Sequence, residues 1–300
     1  MEWLVGPFEV TFVQRALWGG VLVSLICALA GTWVVLRGMA FLGDAMAHGM
    51  LPGVALASLL GGNLMLGAAV SAAAMAAGVT LLGRSPRLSH DTAIGLLFVG
   101  MLSLGVIIVS RSGSFAVDLT GFLFGDVLAV REQDLWHLGI ALLLAVLLSL
   151  AGHRAFVALA FDERKAHTLR LRPRLARAGM LALVTLAIVA SFHVVGTLLV
   201  FGLLIAPPAA ALPWARRVPV VMAGAALLGI TATVIGLLLS WHLGTAAGAT
   251  VAGVAVLQFF LSAGIAGLRG RRVLPPTPAA PPAGPPAALP TPRRNVETSR

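Results

Sequence analysis

Charge is scarce in this sequence. Asp, Glu, Lys and Arg make up only 11% of its 300 residues, against 59% hydrophobic residues and a mean hydropathy of +0.97. That balance excludes an ordinary water-soluble domain. Cysteine is nearly absent: Cys27 is the one thiol and cannot close an intrachain disulfide, which argues against redox chemistry and thiolate metal clusters. No H-E-x-x-H stretch occurs, as an intramembrane metallohydrolase would need, and no G-x-x-x-x-G-K-S/T loop, so any ATP hydrolysis belongs to another chain. A basic region ahead of the first apolar run is missing too. Glu2 and Glu9 stand there instead, so that run is read as a membrane span and not as a removable signal.

What is present is a series of apolar runs close to the roughly 20 residues that cross a bilayer as a helix. They place spans near 13–36, 44–60, 63–83, 92–110, 134–152, 178–195, 196–214, 218–240 and 245–267. The fold expected is therefore all-α, a polytopic transmembrane helix bundle of nine crossings, within bounds of eight to ten. The run 115–130, FAVDLTGFLFGDVLAV, is shorter and holds two aspartates. It is read as a re-entrant or partial helix, a form tolerated only where protein or a water-filled cavity surrounds it. Small residues recur at GxxxG spacing, as in GMLPG at 49–53 and GTAAG at 244–248, which lets helix backbones approach closely and fits a compact bundle.

The arginines set the orientation, because short Lys/Arg-rich loops stay in the cytoplasm. With the N-terminus outside, Arg37, the loop RSPRLSH at 84–90, the segment 153–177, Arg216 with Arg217, and Arg269 onward all fall inside. Segment 153–177 has seven Lys/Arg against two acids and residues 269–300 have six against one, so each carries +5 and together they equal the formal net charge of +10. Topology thus accounts for the basic balance without a nucleic-acid partner. Residues 1–268 are read as the membrane domain. Residues 269–300 are rich in Pro and Ala, bury too little apolar surface to offset their ordering, and are expected as a disordered cytoplasmic tail. That tail is either simply solvated or docks its Pro-rich runs or arginines on a partner or on anionic lipid.

Chemistry has to come from the few polar residues in the spans, since ionisable groups there are costly and mark a pathway or a site. In RGMAFLGDAMAHGMLPG (37–53), Asp44 and His48 are four apart, one helical turn on one face, and within joint reach of one divalent cation. Pro52 lacks the N–H that would bond the carbonyl of His48, which leaves that oxygen open to another donor or an ion. The residues alone leave a second reading standing, in which Asp44 caps the helix and His48 bonds a neighbour. Elsewhere, Asp162 is placed to cap a short helix over 163–170, with Leu159, Phe161, Ala166 and Leu169 offering apolar contacts to a partner groove. A basic loop required only by topology is the alternative there. Asp118, Asp126, Glu132 and Asp134 gather near the outer side, either drawing cations and a binding protein or serving as ordinary loop acids. Asp91 is read as an N-cap, and His193 and His242 as satisfied interfacial histidines.

The stretches RGMAFLGDAMAHGMLPGVALA (37–57), DTAIGLLFVGMLSLGVIIVS (91–110), DLTGFLFGDVLAV (118–130), LAFDERKAHTLRLRP (159–173) and VVGTLLVFGLLIAPPAAA (194–211) occur in the order seen in bacterial zinc/manganese permeases. The chain resembles the ABC-3 permeases, transmembrane subunits of ATP-binding-cassette importers of divalent metals, over about residues 10–267. That resemblance implies a multi-pass protein of the bacterial inner membrane, working as a homodimer with a path at the subunit interface. It further implies two cytoplasmic ATPase subunits, an extracytoplasmic metal-binding protein, no permanent cofactor, and zinc or manganese as the travelling ion. It puts Asp44 and His48 against the metal in the pathway, and Phe161, Asp162, Glu163, Ala166 and Leu169 in the segment that meets the ATPase. A lysine often stands in relatives at the place of His193. The alternative class is an ion-gradient carrier or channel, in which a buried Asp and His relay protons and no ATPase is needed.

Overall fold

The computed structural model describes residues 6–82, 90–110, 127–161 and 173–271. Among these, no strand occurs, and nine helical stretches are long and apolar enough to cross a membrane. A short 3-10 turn, Gly6–Glu9, leads into α1 (Thr11–Leu36). The second span is broken into α2 (Ala40–Gly49) and α3 (Leu51–Leu59). It is followed by α4 (Leu64–Leu82), α5 (His90–Ser110) and α6 (Glu132–Phe161). The helical stretch Pro173–Ala211 is interrupted at Gly196 and supplies two spans, α7 (Pro173–Phe192) and α8 (Val194–Trp214). The bundle closes with α9 (Val218–Leu243) and α10 (Ala247–Arg271).

Helices are the form these runs take because a backbone in hydrocarbon has to satisfy its own polar groups. Their hydroxyls follow suit. Ser24, Thr32, Thr80, Thr185 and Thr233 each donate to the carbonyl four residues back in their own helix, at 2.6 to 3.0 Å.

The core is built on α1 and α8, the two most buried spans. They run side by side in the same direction. Gly19 of α1 lies against Val194, Cys27 donates its S–H to the Val200 carbonyl at 3.9 Å, and Gly31 faces the Leu204 backbone and Pro208. A Cβ on Gly31 would strike the Leu204 carbonyl, so only glycine permits this approach. At the far end of α1, Trp33 is fully buried with Phe156 of α6 edge-on at 5.4 Å, and Phe156 in turn lies against Gly179 of α7. Residue 179 thus sits at the Trp33 end and residue 194 at the Gly19 end, so the chain reverses between α7 and α8. Gly196, with φ 74° and ψ 163°, makes the turn in a backbone region essentially closed to side-chain-bearing residues. Val130, after the 3-10 turn Val127–Ala129, also packs on Gly19. The remainder of the run expected to be re-entrant, residues 115–126, lies outside the described residues, as does the tail from 272.

The expected spans are all found among the described residues, with some ends longer and others shorter by a few residues. The largest difference is α6, which runs to Phe161 and not to 152, while α7 begins at Pro173. The basic segment 153–177 is therefore helical at both ends. His153 and Arg154 end the apolar run without ending the helix, because the last turns of a span can leave the hydrocarbon. Leu159, expected to help form the partner-facing stub, is instead 3% exposed in the bundle core.

Candidate functional site

The broken second span carries the site. Helix α2 starts at Ala40 with Met39 as its N-cap, a residue that makes no side-chain capping bond. Asp44 is thus a full turn inside the helix, which removes the capping reading. From there its Oδ1 lies 3.5 Å from Nε2 of His48, with the two side chains 34% and 22% exposed. That separation is long for a hydrogen bond. It is close to the bite of two ligands on one ion: metal–donor bonds of roughly 2.1 Å at a tetrahedral angle put the donors about 3.4 Å apart.

The imidazole is held from the side. Phe98 of α5 meets it at 5.4 Å and 78°, and Phe41 meets Phe98 at 5.7 Å. His48 Nδ1 is buried and has no hydrogen-bond partner among the described residues. The usual backing of a metal-binding histidine, an acceptor for its second ring nitrogen, is thus missing from that part of the chain. No group of three or more His, Cys, Asp or Glu side chains that could hold a metal occurs among the described residues. The described residues offer the pair and no third such ligand beside it.

The local backbone follows from Pro52. With no N–H there, the helix cannot continue its ladder, and α2 ends at Gly49. The His48 carbonyl, expected to be open, accepts the N–H of Met50. Gly53 donates to Met50 at 3.1 Å, a tightened turn that leaves Gly49 without its usual donor. The hydroxyl of Ser71 on α4 fills that place at 2.7 Å. Sequence reasoning missed both Ser71 and Phe98. The one signal for Ser71 was a lone hydroxyl in the alanine run GAAVSAAAM.

The other candidates separate. Phe161 is the last residue of α6, whereas Asp162, Glu163, Ala166 and Leu169 lie outside the described residues. The Asp134 carboxylate accepts the N–H of Arg131 at 2.9 Å, one half of a capping box at the start of α6. Glu132 is exposed in the same first turn, and Asp118 and Asp126 lie outside the described residues. Asp91 falls in the first turn of α5, which begins at His90. His242 is satisfied by its own helix, its Nδ1 lying 2.8 Å from the Leu238 carbonyl. His193 stands at the α7–α8 reversal.

A bundle of apolar spans with a carboxylate and an imidazole on the open face of a broken helix is the build of a multi-pass membrane transport subunit. The chain belongs to the ABC 3 transport family, whose model matches residues 9–266. It is 34% identical over 262 residues to the manganese transport system membrane protein MntC of Listeria innocua, covering 87% of this chain and 93% of that one. It is 33% identical over 260 residues to the chelated iron transport system membrane protein YfeD of Yersinia pestis, covering 85% and 86%. Among solved structures it resembles PsaBC from Streptococcus pneumoniae, determined in complex with a Fab, with a TM-score of 0.77, 31% identity, and coverage of 87% and 94%.

Proposed function

We propose that this chain is the membrane subunit of an ATP-driven importer for a divalent first-row transition metal, and that Asp44 and His48 ligate the ion in transit. The observation that carries the reading is the Asp44–His48 pair, spaced at 3.5 Å on a partly open face within a span. A carboxylate there cannot face lipid cheaply. The face therefore lines water or is covered by a second copy of the chain, and that copy or water supplies further ligands. Oxygen and nitrogen donors suit zinc, manganese and iron alike, and the names of the relatives include manganese and iron.

Two protein ligands, with an imidazole whose Nδ1 has no partner among the described residues, make a site loose enough to release its ion, which conduction requires. ATPase subunits meet the cytoplasmic segment around 161–169, an extracytoplasmic binding protein delivers the metal, and the tail lies on the cytoplasmic side. The test is uptake of radiolabelled manganese into proteoliposomes. Uptake should need the ATPase partner and ATP and persist with a proton ionophore. Uptake without the ATPase that an ionophore abolishes would instead mark a gradient-driven carrier.

A further inference from the structure

We infer that Ser71 is a positioning residue for the metal-ligand turn, holding the end of α2 in place from the neighbouring span; this rests on the reading of Asp44 and His48 as ligands. Three observations converge on it. The buried face of α4 consists of Ala68, Ser71, Ala72, Met75 and Val79, so Ser71 is its one polar member. Ser24, Thr32, Thr80, Thr185 and Thr233 turn back to the carbonyl four residues earlier in their own helix, whereas Ser71 reaches across to the Gly49 carbonyl at 2.7 Å, as Ser262 of α10 does to the Ala210 carbonyl at 2.6 Å. That carbonyl is the one left without its usual donor where Gly53 turns to Met50, and it belongs to the residue next to His48.

The packing around the bond leaves it little room to move. A Cβ on Gly53 would strike the Gly67 carbonyl, and one on Gly49 would lie 2.9 Å from Met75. The two spans are thus backbone to backbone at Gly53 and Gly67 on one side of Ser71, and the Met75 side chain fills the space against Gly49 on the other. Within the broken segment, α2 is free of the normal ladder to α3, and the hydroxyl of Ser71 ties it to the bundle instead. Without that tie, the Gly49 carbonyl is left unpaired in an apolar surrounding. Gly53 N–H can then swing back to Gly49, straightening the break and shifting His48 relative to Asp44. A loosened turn adapts its bite to either a tetrahedral or an octahedral ion, so discrimination between zinc and manganese narrows.

The experiment is equilibrium binding of Mn2+ to the purified full-length protein in nanodiscs, followed by EPR, with Zn2+ as competitor. Ser71→Ala should weaken Mn2+ binding roughly three- to tenfold, the loss of about one hydrogen bond, and change the Zn2+/Mn2+ affinity ratio. Ser71→Cys, isosteric with a weak donor, should fall between, and it carries the test if Ser71→Ala does not accumulate. A purely structural role lowers the yield of folded protein but leaves the affinity ratio of the remainder untouched, and that result overturns the inference. So does wild-type binding by Ser71→Ala when His48→Gln has lost it. Wild-type binding by His48→Gln removes the site itself, and the inference with it.

Discussion

Asp44 and His48 were legible because a four-residue spacing means the same thing on any helix, and because few other ionisable residues compete with them in the spans. What the spacing could not settle was where the helix begins. An Asp after a Gly has the look of a cap, and only the start of α2 at Ala40 shows that Asp44 lies inside. Ser71 was illegible for the opposite reason: a hydroxyl in an apolar run ordinarily bonds its own helix, and nothing in the residues near it tells of a distant unpaired carbonyl. Trp33 offers a separate test at this scale. It is fully buried, and its indole Nε1 has no partner among the described residues. Trp33→Phe keeps most of the packing and removes only that donor, so it should leave the melting temperature in detergent nearly unchanged. Trp33→Ala opens a cavity beside Phe156 and should cost about 3 to 5 kcal/mol. Equal losses from the two variants would mean that the indole N–H is paired after all.

Among the elements, apolar length located the spans but not their ends, since polar residues such as His153 and Arg154 can extend a helix past the hydrocarbon. The division between 195 and 196 was readable, and Gly196 shows why: the reversal needs a backbone region with ψ near 163° at positive φ, which glycine alone enters without strain. Gly196→Ala should therefore lower stability by about 1 to 3 kcal/mol and reduce accumulation in the membrane. Gly253→Ala serves as the comparison, because Gly253 lies in α10 at negative φ with open space where its Cβ would sit. It should be neutral or slightly stabilising. An Ala at 196 that is equally silent would place the reversal elsewhere. For the segment after α6, Phe161→Ala with Leu169→Ala should uncouple uptake from ATP hydrolysis while the permease still folds. Normal uptake with normal ATPase binding would count against that assignment.

For the whole molecule, the spans found among the described residues and the basic segments were legible because both depend on composition summed over long stretches. The packing of spans was not, since it turns on single glycines such as Gly31 and Gly53 among many. Orientation can be read by thiol labelling, because Cys27 is fully buried and gives a silent background. Cysteines introduced at 88, 165, 216 and 290 should react from the cytoplasm, and one at position 5 from outside. Labelling of position 165 from outside would reverse the orientation and remove the ATPase contact with it. The most direct measurement concerns the paired ligands themselves: manganese uptake by the ATPase-coupled assembly carrying Asp44→Asn, His48→Gln, or both. Joint ligation of one ion predicts that each single variant loses most uptake and that the double variant is little worse than either. Near-normal uptake by Asp44→Asn, or losses that multiply in the double variant, would contradict it.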